Sequence, residues 1–359
     1  MGMKHHGGVV MKPLFSIATA ALAFCLLPPT QASNPLPAMG ASGDGTSVSG
    51  LSSGAFMAVQ YQVAYSASVS GAGVVAGGPY YCAAGLLLTY SGICMGLVPF
   101  VSPNPDLMVR AAQFFAASGL IDPISNLQKD RVYVFSGTMD TVVHQSAVNA
   151  TVAFFKGAGV PKENLLYVKT VPSGHALLTP AFGNHCGANE APFISRCTVQ
   201  KKKYDQAGAI FSHIYGNIKP PATARTGQLL TFRQTEFADP SSSMSEDAFV
   251  YVPASCAKAG SCKVHVAFHG CKQSADVVGD DFYGKSSYND WADSNNIIML
   301  YPQVRASLPF NENGCWDWIG YTGPNYAYKT GPQMKAVRAM IERLTSLPAS
   351  APGPVAIAQ

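Results

Sequence analysis

The sequence predicts an α/β fold, one domain with a mostly parallel central sheet covered by helices. Three observations carry that reading. Short apolar β-type runs alternate with helix-like stretches along most of the chain, the pattern of buried parallel strands. Hydrophobic residues make up 48% of 359 and charged residues only 12%, enough to fill a large core. Between the first strand-like run and the first helix-like stretch lies Gly50-Leu51-Ser52-Ser53-Gly54, a glycine-flanked turn.

In chain order, Lys4 and Lys12 precede an apolar run over 14–27, then Pro28-Pro29 and the small residues Thr30 and Ala32. This predicts a secretory signal peptide over 1–32, cut after Ala32, too short in its apolar part to be a stable membrane span. Cys25 leaves with it. Strands are expected over 46–50, 71–77, 131–136 and 165–171, with helices over 55–65 and 147–156. The Pro/Ala-rich stretch 219–227 reads as a connection between an N-terminal segment, 33–218, and a C-terminal segment, 228–347. After it, 264–268 and 297–301 repeat the strand pattern. The helix expected over 333–344 spaces Met334, Val337, Met340, Ile341 and Leu344 along one face. Residues 348–359 read as a loose tail, and no separate substrate-binding domain is expected.

The formal charge of +4 includes Lys4 and Lys12, so the processed chain would carry about +2. With no Lys/Arg stripe, nucleic acid is not an expected partner, and Lys201-Lys202-Lys203 reads as a solvated face. Nine cysteines less Cys25 leave eight, an even number in an exported chain, which predicts disulfides rather than thiol or metal chemistry. Sequence alone does not settle the pairing. Local spacing suggests Cys82 with Cys94, Cys186 with Cys197 and Cys256 with Cys262, leaving Cys271 for Cys315. No His/Cys cluster has zinc-finger spacing, and His185 reads as a loop residue beside a disulfide.

The 50–54 stretch fits the Gly-x-Ser-x-Gly turn that raises a serine hydroxyl above an α/β-hydrolase sheet. Such a serine needs a histidine to take its proton and a carboxylate to fix the imidazole, delivered by later strands in the order serine, acid, histidine. Asp140 follows the strand at 131–136 through Gly137-Thr138-Met139, and His175 follows the strand at 165–171 through Pro172-Ser173-Gly174. Each has a bland reading, turn aspartate or surface histidine, which the shared order outweighs. His213, in an apolar run, is expected to face the core; His265 lies within a strand; His144 is the reserve base.

The oxyanion needs donors. One is the Ser53 amide, next after the nucleophile. The second normally comes from a His-Gly motif upstream of the serine, yet here His269-Gly270-Cys271 lies far downstream. A circular permutation accounts for the inversion. The strands from 264 onward would be the first half of an ordinary sheet moved to the C-terminus, with the Pro220-Pro221 connection joining the old ends.

Taken together, Gly50-Leu51-Ser52-Ser53-Gly54-Ala55, Ser136-Gly137-Thr138-Met139-Asp140, Ser173-Gly174-His175, Val264-His265-Val266-Ala267-Phe268-His269-Gly270-Cys271, Leu300-Tyr301-Pro302-Gln303 and Gly314-Cys315-Trp316-Asp317-Trp318-Ile319-Gly320-Tyr321 resemble the extracellular poly(3-hydroxybutyrate) depolymerases, in their circularly permuted α/β-hydrolase branch. The resemblance covers nearly the whole processed chain. It implies Ser52 as nucleophile with Asp140 and His175, an oxyanion hole of the Ser53 and Cys271 amides, and an aromatic subsite at Trp316 and Trp318. As tryptophans, these two also fit a core reading. Two features depart from the family: no polymer-adsorbing domain follows, and Ile319 stands where a second tryptophan is frequent. The expected activity is that of a secreted monomeric serine esterase acting on poly(3-hydroxybutyrate) or related short-chain polyesters, without metal or organic cofactor. The alternatives are a feruloyl- or acetyl-type carboxylesterase and a non-catalytic polymer-binding protein.

Overall fold

The structure, a computed structural model, describes residues 1–4, 8, 34–86, 90–257 and 262–348. It divides into two units, Met1–Ala32 and Ser33–Gln359, and the sheet and its helices belong to the second. Apart from residues 1–4 and 8, the expected signal peptide lies outside the described residues, as do its cut site and nearly all of the expected tail.

Eight strands form the main sheet: β1 (Thr46–Leu51), β2 (Val69–Val75), β3 (Arg131–Phe135), β4 (Leu165–Val168), β5 (Gln228–Arg233), β6 (Asp247–Val252), β7 (Lys263–Phe268) and β8 (Ile297–Tyr301). Their order is β5-β6-β8-β7-β1-β2-β3-β4, with β6 antiparallel to both neighbours and every other pair parallel. Counting the four C-terminal strands first turns this into 1-2-4-3-5-6-7-8. That is the order of an unpermuted α/β-hydrolase sheet, so the fold is the circularly permuted form, with the nucleophile strand β1 at its centre.

The strands β1 and β8 are buried at every residue, and β2, β3 and β7 at all but one, because helices cover the sheet. Six helices of eight or more residues lie among the described residues: α1 (Ser53–Ala64), α2 (Pro105–Ala117), α3 (Gln145–Gly157), α4 (Gln206–Tyr215), α5 (Tyr288–Asn295) and α6 (Pro332–Thr345). The central helix α1 has no exposed face; all of its 12 residues are buried. By contrast α6 is amphipathic, burying Met334, Val337, Met340, Ile341 and Leu344.

Several sequence expectations change. The strand expected over 165–171 stops at Val168, because its partner β3 stops at Phe135 and the chain turns to carry His175 back over the sheet edge. The 71–77 strand runs instead over Val69–Val75. The strands β5 and β6 were not expected; as the outer pair they keep several half-exposed or exposed positions, which blurs their apolar signal. His213 does not face the core. The buried stripe of α4 runs through Ala207, Ile210, Phe211 and Ile214, leaving His213 half-buried with its Nε2 2.9 Å from the Asn164 carbonyl.

The 219–227 connection lies pinned along α5. Lys219 N–H donates to Asn295, Ala222 N–H to the Asp290 carbonyl, Arg225 Nε to Asp290 and Thr226 N–H to Asp293. The disulfides join Cys82 to Cys94, Cys186 to Cys197, Cys256 to Cys262 and Cys271 to Cys315.

Candidate active site

Parallel register decides where the chemistry collects. Gly50 pairs with Phe268, Leu51 with Val75, Val75 with Phe135 and Phe135 with Val168, so these strands end together at one sheet edge. The loops leaving that edge carry Ser52, Asp140, His175 and the segment 269–271.

Ser52 sits between β1 and α1 with φ 57° and ψ −124°. A non-glycine residue in that region stores strain, which the turn accepts in order to lift the side chain off the strand. The flanking glycines answer to close backbone approach. A Cβ on Gly50 would lie 2.2 Å from the Gly54 carbonyl oxygen, and one on Gly54 would lie 2.3 Å from the Phe268 carbonyl oxygen. Ser53 opens α1, so its amide is one of the helix's unpaired N-terminal donors, at the positive end of the dipole.

Asp140 and His175 meet directly: His175 Nδ1–H donates to Asp140 Oδ2 at 2.8 Å. Both side chains are nearly sealed from water, at 4% and 1% exposure for His175 and Asp140. The other carboxylate oxygen accepts the Val142 and Val143 amides, each at 2.9 Å, which holds the acid in its loop. With Nδ1 committed to Asp140, the Nε2 lone pair is left for the cavity that His175 and Ser52 both line. The reserve base His144 is elsewhere, at the N-cap of α3, where its amide donates to the Met95 carbonyl.

Beyond β7, His269 is wholly buried and its imidazole is bonded on both sides. Nδ1–H donates to the Gly270 carbonyl at 2.7 Å, and Nε2 accepts the Val304 amide at 3.0 Å. Burial pushes this imidazole down to about 4, which keeps it neutral for both contacts. Across a trans peptide C=O and N–H point oppositely, so holding the Gly270 carbonyl aims the Cys271 amide the other way. The Gly270 amide donates to Gln273 Oε1 at 2.7 Å, and the Cys271–Cys315 bridge ties the loop to the aromatic segment.

The cavity holds about 370 Å³ and is mainly apolar, with Phe56, Met95, Phe193, Trp318 and Ile319 in its walls. Trp318 stacks on Phe56 at 4.2 Å. Trp316 is wholly buried and packs edge-on against Phe268 at 4.9 Å, so it serves the core as well as the cavity wall. Asp317 organises this segment from below: its carboxylate accepts the amides of Ile319, Gly320, Tyr321 and Thr322.

A second serine–histidine pair has no access to substrate. His265 lies in β7 with Ser47 Oγ against Nδ1 and Ser49 Oγ against Nε2, all three fully buried, and burial pushes the imidazole down to about 3. Sequence reasoning missed Asn189, Phe193 and Gln273, which touch the catalytic loops or line the cavity. Asn189 and Phe193 stand in no local motif, and their only nearby signal is the cysteine spacing at 186 and 197; Gln273 lies two residues beyond His269-Gly270-Cys271, a motif that could have pointed to it.

A scan against protein-family models finds no match. Among curated proteins the chain is 43% identical over 334 residues to the poly(3-hydroxybutyrate) depolymerase of Delftia acidovorans, a match covering 92% of this chain and 65% of that protein. It therefore spans just under two thirds of that relative's length. It is 36% identical over 332 residues to the polyhydroxybutyrate depolymerase of Talaromyces funiculosus, covering 88% of this chain and 94% of that one. Among solved structures it resembles the PHB depolymerase from Penicillium funiculosum, at 34% identity and a TM-score of 0.77 over 87% of this chain and 99% of that one. A PHB depolymerase variant complexed with R3HB trimer matches at 33% identity and a TM-score of 0.78, with the same coverage. With the permuted sheet, the serine turn and near-complete coverage of the Talaromyces protein all agreeing, this chain belongs to the poly(3-hydroxybutyrate) depolymerase family.

Proposed function

We propose that the protein is a serine esterase that hydrolyses poly(3-hydroxybutyrate) and its oligomers. The observation that carries this is the buried His175–Asp140 pair sharing an apolar cavity with the serine of a strained strand-to-helix turn. Ser52 Oγ attacks the ester carbonyl while His175 Nε2 takes its proton, and Asp140 stabilises the imidazolium through Nδ1–H. The Ser53 and Cys271 amides receive the oxyanion, a contribution of roughly 3 kcal/mol per donor. His175 then returns the proton to the departing hydroxyl end, leaving an acyl group on Ser52. A water deprotonated by His175 then attacks the acyl carbon. As the bond from that carbon to Ser52 Oγ breaks, His175 returns the proton to Oγ, freeing the serine and releasing the acid, which ionises to a carboxylate.

The apolar walls suit the methyl-bearing units of a short polyester, and Trp318 and Ile319 are among the residues that line this cavity. Leu308 and Phe310 are exposed, with Phe310 at the cavity, and this apolar surface supports contact with a polyester chain. Export to an oxidising compartment accords with four disulfides. No helix among the described residues is long and apolar enough to cross a membrane.

The test is product analysis after incubation with amorphous hydroxybutyrate polymer and with soluble oligomers, using wild type, Ser52→Ala and His175→Ala. Hydroxybutyrate products from the wild type alone are expected. Release of ferulate or acetate without polymer cleavage would favour the carboxylesterase reading, and full activity in either variant would overturn the triad.

A further inference from the structure

We propose that Asn189 is a positioning residue that holds the acid loop and the base loop in one register, so that His175 reaches Ser52 with its Nδ1–H already engaged by Asp140. This role rests on the triad reading of Ser52, His175 and Asp140. The Asn189 side chain spends all of its hydrogen-bonding capacity on the machinery around it. Oδ1 accepts the His175 amide at 2.8 Å and the Thr141 amide at 3.1 Å, one from each loop. Nδ2 donates to the Met139 carbonyl and the Gly187 carbonyl, both at 3.1 Å. Its bonds thus reach both neighbours of Asp140 and the backbone of His175 itself.

The platform under Asn189 is rigid. The Cys186–Cys197 disulfide closes the segment, and the Gly174 amide donates to the Cys186 carbonyl at 2.9 Å. A Cβ on Gly174 would lie 2.2 Å from the Ala188 carbonyl oxygen, so base loop and platform are in direct backbone contact. The oxyanion side is joined as well: Gln273, which accepts the Gly270 amide, donates through Nε2 to the Pro192 and Phe193 carbonyls at 2.8 and 3.1 Å. Acid, base and oxyanion loops therefore meet one stapled segment, and Asn189 bonds both the acid and the base loop, the latter beside the Gly174–Cys186 contact.

Few side chains can replace it. Two acceptor sites and two donors at the end of one methylene belong to asparagine alone. Aspartate keeps the acceptors and sets a carboxylate oxygen against two carbonyls; alanine loses all four bonds. A misplacement near 1 Å in a catalytic group costs on the order of 10²-fold in rate.

The experiment compares Asn189→Ala and Asn189→Asp with wild type on a soluble 3-hydroxybutyrate oligomer, reading kcat and KM per folded enzyme, thermal melting, and the low-field proton resonance of the His175 Nδ1–H. For Asn189→Ala we expect kcat to fall roughly 10- to 100-fold with KM within about twofold, and the resonance to broaden or move upfield. Asn189→Asp should fall less and show the same split, and it carries the test if the alanine variant does not fold. Lowered melting temperature with native kcat and an unmoved resonance in the folded variants would reduce Asn189 to a structural role and overturn the proposal. Ser52→Ala and His175→Ala run alongside: if they stay active the triad reading fails, whereas if they are dead and both Asn189 variants keep native kcat, only the positioning role fails.

Discussion

Replacing Gly54 with alanine sets a methyl carbon 2.3 Å from the Phe268 carbonyl oxygen and 2.4 Å from that of His269. Both neighbours are backbone, so no side chain can swing away. Ordinary van der Waals contact begins near 3.4 Å, and α1 and the end of β7 must therefore part by about 1 Å. That seam carries the two proposed oxyanion donors on opposite sides: Ser53 opens α1, and Cys271 lies three residues past β7. Overpacking of this kind costs about 1–3 kcal/mol of stability. Moving a donor by about 1 Å costs on the order of 10²-fold in kcat. The assay is steady-state hydrolysis of a soluble hydroxybutyrate oligomer, with circular dichroism and urea unfolding on the same samples. Gly270→Ala is the stability control, since a Cβ there meets nothing closer than 3.4 Å, and it should unfold like wild type. A folded Gly54→Ala enzyme with kcat within about threefold of wild type would refute the claim that backbone approach at this glycine sets the oxyanion geometry.

Asp140→Asn should keep the fold and lower kcat by about 10⁴-fold, because an amide favours the wrong imidazole tautomer; a loss under tenfold would mean another group supports His175. Burial pushes Asp130 up to about 7, opposed more weakly by the hydrogen bond from Gln62, so between about pH 4 and 7 the folded state holds a proton that the unfolded state has released. The stability from that proton is present at low pH and is lost as pH rises through about 7, so Asp130→Asn should gain on wild type by about 1.4 kcal/mol per pH unit across that window. Parallel urea-stability curves at pH 5, 6 and 7 would rule this out. Converting Cys271 and Cys315 to serine opens a bridge of sequence separation 44, against 6 for Cys256 and Cys262. On the chain-entropy account the losses are about 4 and about 2 kcal/mol. Only the first pair should also lower kcat in folded enzyme, since the oxyanion amide we propose is that of Cys271; equal kcat in the two double variants would contradict that role.

Much of the site was legible because its signals are local. The serine turn announces itself by glycines two residues either side of Ser52, and the structure gives each a reason in a backbone contact under 2.5 Å. Asp140 and His175 follow apolar runs through short turns, so their strand edge could be read. The strands β5 and β6 were less visible, since an outer pair with half-exposed positions weakens the apolar run. His213 misled because an apolar stretch does not say which side of a helix a residue takes; the stripe of α4 passes it by.

By itself the sequence determined the fold class, the permutation and the order of the chemical groups, because each rests on residue types within a few positions or on the order of segments along the chain. Only tertiary structure decided how those groups are held. Asn189 acts on Thr141, 48 positions away, and Gln273 on Pro192, 81 positions away. The same holds for burial: His265 and His269 sit four residues apart, yet one is enclosed by serines of β1 while the other holds the peptide that presents Cys271. Local sequence puts one inside a strand and the other in a His-Gly motif, but it does not show their partners, because those are distant backbone and hydroxyl groups that only the folded chain brings to their nitrogens.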